Sequence, residues 1–187
     1  MPPTSETPST FSTAARVSGS PAAGQAVMQA VHRAIVGQGW QPGYADEIRR
    51  MRQRLEETAT RRNLKRGPGG TVDIEFAVQM LQLKHAADLP HVLQPGTLDA
   101  IAALHEAGCL SRDDSEYLSR SYRFLRRIEA RLRLMNTAAR HDLPSDETEL
   151  GKLAYLLDYP SVAALQHECD HFMQENRRRC QRLFGGD

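Results

Sequence analysis

Three stretches of this 187-residue chain combine residue types at spacings that could do chemistry. The first is Asn63-Leu64-Lys65-Arg66-Gly67-Pro68-Gly69-Gly70-Thr71-Val72-Asp73-Ile74-Glu75. Lys65 and Arg66 run into a turn built on Gly67, Gly69 and Gly70, and a helix start carries Asp73 and Glu75. Glycines permit positive φ and close backbone approach, and a helix N-terminus exposes N–H groups with a partial positive charge. With two bases beside it, such a turn can receive a phosphate. Against that, carboxylates in the first helical turn already satisfy the dipole. The spacing is neither a Walker-type loop nor a dinucleotide fingerprint. The simpler reading is a capped helix start in which Lys65 or Arg66 pairs with Asp73 or Glu75.

The second stretch, His167-Glu168-Cys169-Asp170-His171, matches HExxH. On a helix it puts His167 and His171 on one face with Glu168 beside them, the arrangement of a zinc hydrolase. The stretch after His171 holds no further His and one Glu, Glu175, so a third ligand is hard to find. A solvated helix face, or adventitious metal binding by His167, Cys169 and His171, is the plainer reading, and no metal site is assigned. The third stretch, Tyr122 to Met135, interleaves Arg123, Arg126, Arg127, Arg131 and Arg133 with aromatic and aliphatic residues. It reads either as a basic stripe for RNA or an acidic partner, or as a packed seam. In the seam reading Arg126 and Arg127 form ion pairs with Asp73, Glu75 or neighbouring acids.

The elements that must position these groups are helices. Residues 1–20 are rich in Ser, Thr and Pro and are expected to form a flexible tail. Residues 21–187 are expected to form a single all-α domain, a bundle of about six to seven helices with short loops. Ile48, Met51 and Leu55 form a narrow stripe on a charged helix. The helix after the glycine turn is apolar over a wide arc, which predicts the most buried helix of the chain. A long helix from about Ser111 places Tyr117, Leu118, Tyr122, Leu125, Ile128, Leu132 and Met135 on its apolar face at steps of three or four. Asp146 with Glu149, and Ser161, are capping signals for the last two helices. Trp40 and Tyr44 are expected to anchor a loop.

The formal net charge is +1 and charged residues make up 25%, which argues against nucleic acid or an anionic membrane as partner. Cys109, Cys169 and Cys180 have no metal or redox spacing. They read as reduced thiols of a cytoplasmic protein. No apolar run approaches the roughly 20 residues that span a bilayer.

Continued through Phe76 to Gln79, the first stretch, "LKRGPGGTVDIEFAVQ", resembles the Lys-x-Gly-x-Gly-Gly-Ile-x-Asp-Ile-Glu-Phe-x-x-Gln signature of bacterial glutamine synthetase adenylyltransferases. Residues 97–135 resemble that family's next block, and "ELGKLAYLLDYPS" a third, so the likeness runs over about residues 44–184 in order. It implies the helical domain that follows the C-terminal nucleotidyltransferase domain. The family's chemistry is AMP transfer from ATP to a glutamine synthetase tyrosine, and its removal. Lys65, Arg66, Gly67, Gly69, Gly70, Asp73 and Glu75 would then contact nucleotide or a partner domain. The implied partners are a nucleotidyltransferase domain, glutamine synthetase or a PII-type signalling protein. Mg²⁺ and ATP are implied for the full enzyme and no cofactor for this chain. Two departures bear on this. Val72 stands where an arginine is frequent, and the Gly-Ser followed by Asp-x-Asp of the catalytic domain is missing: Gly19-Ser20 is followed by no acid before Asp46. The chain is therefore expected to have no catalytic residues and to be inactive alone. The alternatives are an independent helical protein-interaction domain and, less favoured, a metal-dependent hydrolase through HExxH.

Overall fold

A computed structural model describes residues 20–41, 43–135 and 141–185. Among them are seven α-helices: α1 Pro21–Gln38, α2 Tyr44–Glu57, α3 Thr71–His85, α4 Thr97–Glu106, α5 Arg112–Met135, α6 Glu147–Leu156 and α7 Val162–Gly185. A short 3-10 turn spans Pro90–Val92. The expected all-α class holds. The expected tail lies outside the described residues, apart from Ser20. That residue caps α1, its hydroxyl accepting from the Ala23 N–H at 3.2 Å. No described helix is long and apolar enough to cross a membrane.

The chain divides into two compact units. One comprises residues up to Ile48 together with Val78–Ser115, the other Arg49–Ala77 with Glu116–Asp187. In the first, Val78, Leu81, Ile101, Leu104 and Leu110 are buried. Gln82, also buried, donates from Nε2 to the carbonyls of Val92 (2.8 Å) and Gln94 (2.9 Å). It thereby fixes the 3-10 turn against α3 and satisfies two loop carbonyls. Trp40 and Tyr44 meet edge to face at 5.8 Å, as a loop anchor would.

The second unit carries all three chemistry-bearing stretches. Its core joins Leu125, Ile128 and Leu132 of α5, Leu153 of α6, and Leu165, Cys169 and Met173 of α7. Leu64 and Leu143 enter this core from the loops. Each buried aliphatic side chain contributes roughly 1.5–3 kcal/mol, so this cluster outweighs any cap. The caps sit where the sequence put them. Asp146 accepts from the Glu149 N–H at 2.9 Å, and Ser161 from Ala164 at 3.1 Å. An isolated antiparallel bridge pairs Asn63 with Asp142, with Leu64 N–H to His141 O at 2.7 Å and Leu143 N–H to Arg62 O at 3.0 Å. This bridge holds the loop after α5 against the approach to the glycine turn.

Candidate functional site

The glycine turn folds back on itself. Asn63 Oδ1 accepts from the N–H groups of Lys65 (3.1 Å) and Arg66 (2.7 Å). Gly67 N–H bonds to Asn63 O, Gly70 to Gly67 O, Thr71 to Leu64 O, Val72 to Lys65 O and Asp73 to Gly70 O, all at 2.9–3.0 Å. The Gly69 N–H donates to the Asp73 carboxylate. Every backbone N–H from Lys65 to Asp73 therefore has an acceptor inside the chain. The N–H groups that make a helix start an anion site are already in use.

The glycines are needed because backbone passes close to each. Gly69 is the extreme case. Its φ is +76°, and a Cβ there would lie 1.7 Å from the Met173 carbonyl oxygen. The middle of α7 rests directly on this residue. Buried Asn176 of α7 donates to Gly69 O at 2.8 Å.

The partner of Asp73 is one the sequence reading missed. Neither Lys65 nor Arg66 pairs with it. Arg52 of α2 does, through Nε to Oδ1, while Arg52 Nη2 donates to Gly67 O at 3.0 Å. Arg52 and Asp73 are 3% and 2% exposed. Two further charges close the network. Glu56 lies 3.4 Å from Arg52 Nη1 and 2.9 Å from Arg177 Nη1, and Arg177 also reaches Asp73 at 3.5 Å. Four charges thus tie α2, the glycine turn, the first turn of α3, and α7 together. A signal for Arg52 was present. It falls four residues after Ile48 and three before Leu55, on the apolar stripe itself, where an arginine must find a buried acid.

Glu75 points elsewhere. It accepts from the Tyr122 hydroxyl at 2.9 Å. Burial pushes its carboxyl above the ordinary 4.5, opposed by the Tyr122 hydrogen bond and the charges of Lys65 and Arg126. The sign follows. A carboxyl raised in the folded state contributes most when protonated, below about pH 4.5, and that contribution is lost as pH rises through its folded value. Glu75→Gln, which still accepts from Tyr122, is expected to raise the melting temperature at neutral pH and to leave it nearly unchanged below pH 4.5. Melting curves across this range test it, and equal shifts at both ends would overturn it.

Arg126 and Arg127 are half-exposed and pair with acids other than Asp73 or Glu75. Arg126 meets buried Glu129 at 2.9 Å, and Glu129 also meets His141 at 3.2 Å. Arg127 takes Asp158 at 3.1 Å. The five-residue HExxH stretch is split by the helix. His167 and His171 are exposed, whereas Cys169 is fully buried in the core. Its thiol is pushed up to about 12, first by burial. Cys169 therefore cannot join the histidines on a metal. Glu168 accepts from the Tyr159 hydroxyl at 2.6 Å. Among the described residues no cluster of three or more His, Cys, Asp or Glu is arranged to hold a metal. Val72 is buried, so position 72 faces the interior and not a ligand.

Residues 44–184 match the family model described as GlnD PII-uridylyltransferase. The chain is 38% identical over 135 residues to the bifunctional glutamine synthetase adenylyltransferase/adenylyl-removing enzyme of Mycolicibacterium smegmatis, covering 70% of this chain and 14% of that protein. It is 33% identical over 147 residues to the enzyme of the same description from Aromatoleum aromaticum, covering 76% and 16%. With the Mycobacterium tuberculosis H37Rv protein it shares 43% over 107 residues, 55% and 11%. The matched stretch is thus about a seventh of the length of the first of these relatives. The match spans the glycine turn, the Arg52–Asp73 network and the helices that build them, and on it this all-α chain belongs to the GlnD PII-uridylyltransferase family.

Proposed function

We propose that this chain is a helical module of a glutamine synthetase adenylyltransferase-like protein, in the regulation of nitrogen metabolism. In this reading it docks a nucleotidyltransferase domain through Lys65, Arg66 and Glu75 and transfers no AMP alone. The relatives' description as adenylyltransferases acting on glutamine synthetase supports the setting. One observation carries the choice of docking over nucleotide binding: the turn's N–H groups and the Asp73 carboxylate are consumed internally. What the signature leaves at least partly accessible is exposed Arg66, half-buried Lys65 and the half-buried Glu75–Tyr122 pair. Such a mixed-charge rim sets orientation in a domain interface more than raw affinity. Mg²⁺ and ATP belong, in this reading, to the partner domain, where carboxylates would hold the metal.

The test is titration calorimetry of the chain with a separately expressed nucleotidyltransferase domain from one of these relatives. The Lys65→Glu/Arg66→Glu variant is expected to bind about tenfold or more weakly, through lost charge complementarity. Thermal unfolding with Mg-ATP is the counter-test. A ligand at about 100 times its Kd stabilises by roughly 2.7 kcal/mol, on the order of 5–10 °C for a chain of this size. A shift of that size, abolished by Lys65→Glu, would replace docking with direct nucleotide contact.

A further inference from the structure

The second unit has a groove of about 740 Å³ that the glycine signature does not involve. Its apolar lining comes from Phe172, Tyr159, Pro160 and Ala164, and Arg120, His167, His171 and Glu168 complete it. The lining side chains pack on one another. Phe172 packs on Phe124 at 4.7 Å, Phe124 on Tyr159 at 6.4 Å, and the Tyr159 hydroxyl is held by Glu168. Arg120 lies over the Tyr117 and Phe172 rings, 5.3 and 5.9 Å from their centroids.

The groove opens beside a one-sided run of charge. From Arg120 to Met135, every exposed charged side chain of α5 is an arginine: Arg120, Arg123, Arg126, Arg127 and Arg133. Arg120, Arg123 and Arg127 are spaced three and four apart, on one helical face. Arg127 pairs with Asp158, the residue that precedes Tyr159 of the groove. The nearby acids are already engaged, Asp158 by Arg127, Glu168 by Tyr159 and Glu129 by Arg126. A cluster of this charge in a chain of net charge +1 marks a local patch.

From this juxtaposition we infer that the groove between α5 and α7 binds an acidic polypeptide segment that places one apolar anchor on Tyr159, Pro160 and Ala164, over buried Phe172, and its carboxylates on Arg120, Arg123 and Arg127. An aromatic or aliphatic anchor in a desolvated pocket supplies affinity, and the charged rim supplies register and on-rate. A peptide brings backbone N–H groups that the Glu168 and Asp158 carboxylates can accept beside their present bonds, and a phosphate backbone brings none. This inference is independent of the docking surface proposed at Lys65 to Glu75.

The test uses the 187-residue chain and a fluorescein-labelled hexaglutamate carrying one central phenylalanine, followed by anisotropy. Binding is expected to be about tenfold tighter than for hexaglutamate alone and to weaken as salt shortens the Debye length. Arg123→Gln/Arg127→Gln, both exposed positions, should lower affinity about tenfold or more with the melting temperature unchanged. Ala164→Trp, which fills the groove, should remove the preference for the phenylalanine peptide and spare the salt-dependent part. Lys65→Glu should leave all of this unchanged. No binding, binding indifferent to both groove variants, or tighter binding of a labelled oligouridylate would each overturn the inference.

Discussion

Arg52→Met is expected to lower the melting temperature by about 6–20 °C. Breaking a buried ion pair by removing one partner costs about 3–5 kcal/mol, and each kcal/mol moves the midpoint of a chain this size by roughly 2–4 °C. Methionine keeps the length and most of the apolar stem, so the loss isolates the guanidinium. That group holds Asp73, the Gly67 carbonyl and Glu56 at once. Removing it leaves a buried carboxylate with Arg177, at 3.5 Å, as its remaining cation. Asp73→Leu should cost a similar amount by stranding Arg52 and freeing the Gly69 N–H. The double variant Arg52→Met/Asp73→Leu is the decisive measurement. It leaves neither charge stranded, so its loss should fall short of the sum of the singles by about 1–3 kcal/mol. Single losses below about 0.5 kcal/mol, the range of ordinary surface changes, would show that the network contributes nothing to the fold.

How far this network was legible in the sequence can be judged residue by residue. The wide apolar arc on α3 was, and none of its 15 residues is exposed. So were the caps at Asp146 and Ser161, because capping depends on residues three apart. Arg52 was not taken for a site residue, because a stripe of Ile48, Met51 and Leu55 explains α2 as a surface helix without it. The pairing between Arg52 and Asp73 is a contact 21 positions apart. Local spacing can require a partner for Arg52 but cannot choose it. The glycine turn divides in the same way. Three glycines with two bases announce close approach, and a phosphate and a helix backbone make the same demand. Only the fold shows that the visitor is α7, with Asn176 reaching Gly69 from 107 positions downstream. The α5 arginines divide in the same way. That Arg126 and Arg127 form ion pairs was legible, but not which acids they take: these are the neighbouring Glu129 and Asp158 rather than Asp73 or Glu75. In the fold, Leu118, Leu125 and Leu132 are buried while Arg126 and Arg127 are exposed.

Gly69→Ala should be the most damaging single methyl in this protein. Alanine at a φ of +76° costs roughly 1–2 kcal/mol in backbone strain alone. The added Cβ would meet the Met173 O, C and Cα atoms at 1.7, 2.5 and 2.8 Å. These are backbone atoms in the interior of α7, and no rotamer change can move them. The helix must translate, and it takes with it the Asn176 bond and the packing of Leu165, Cys169 and Met173 in the core. The expected loss exceeds about 4 kcal/mol, the mark of a structural fault rather than an ordinary substitution. The midpoint should fall by roughly 8 °C or more. Gly151→Ala is the matched control in the same unit. It lies within α6, and a Cβ there meets nothing within 4 Å. Alanine should stabilise it by about 0.8–1 kcal/mol through helix propensity. Should Gly69→Ala fail to accumulate as folded protein, Asn176→Ala tests the same contact with the glycine intact. Leaving the Gly69 carbonyl unpaired should cost about 1–3 kcal/mol. Two Gly→Ala variants that melt within a degree or two of each other would mean that α7 does not rest on the turn. The signature glycines would then need another explanation, and a ligand would again be the first to consider.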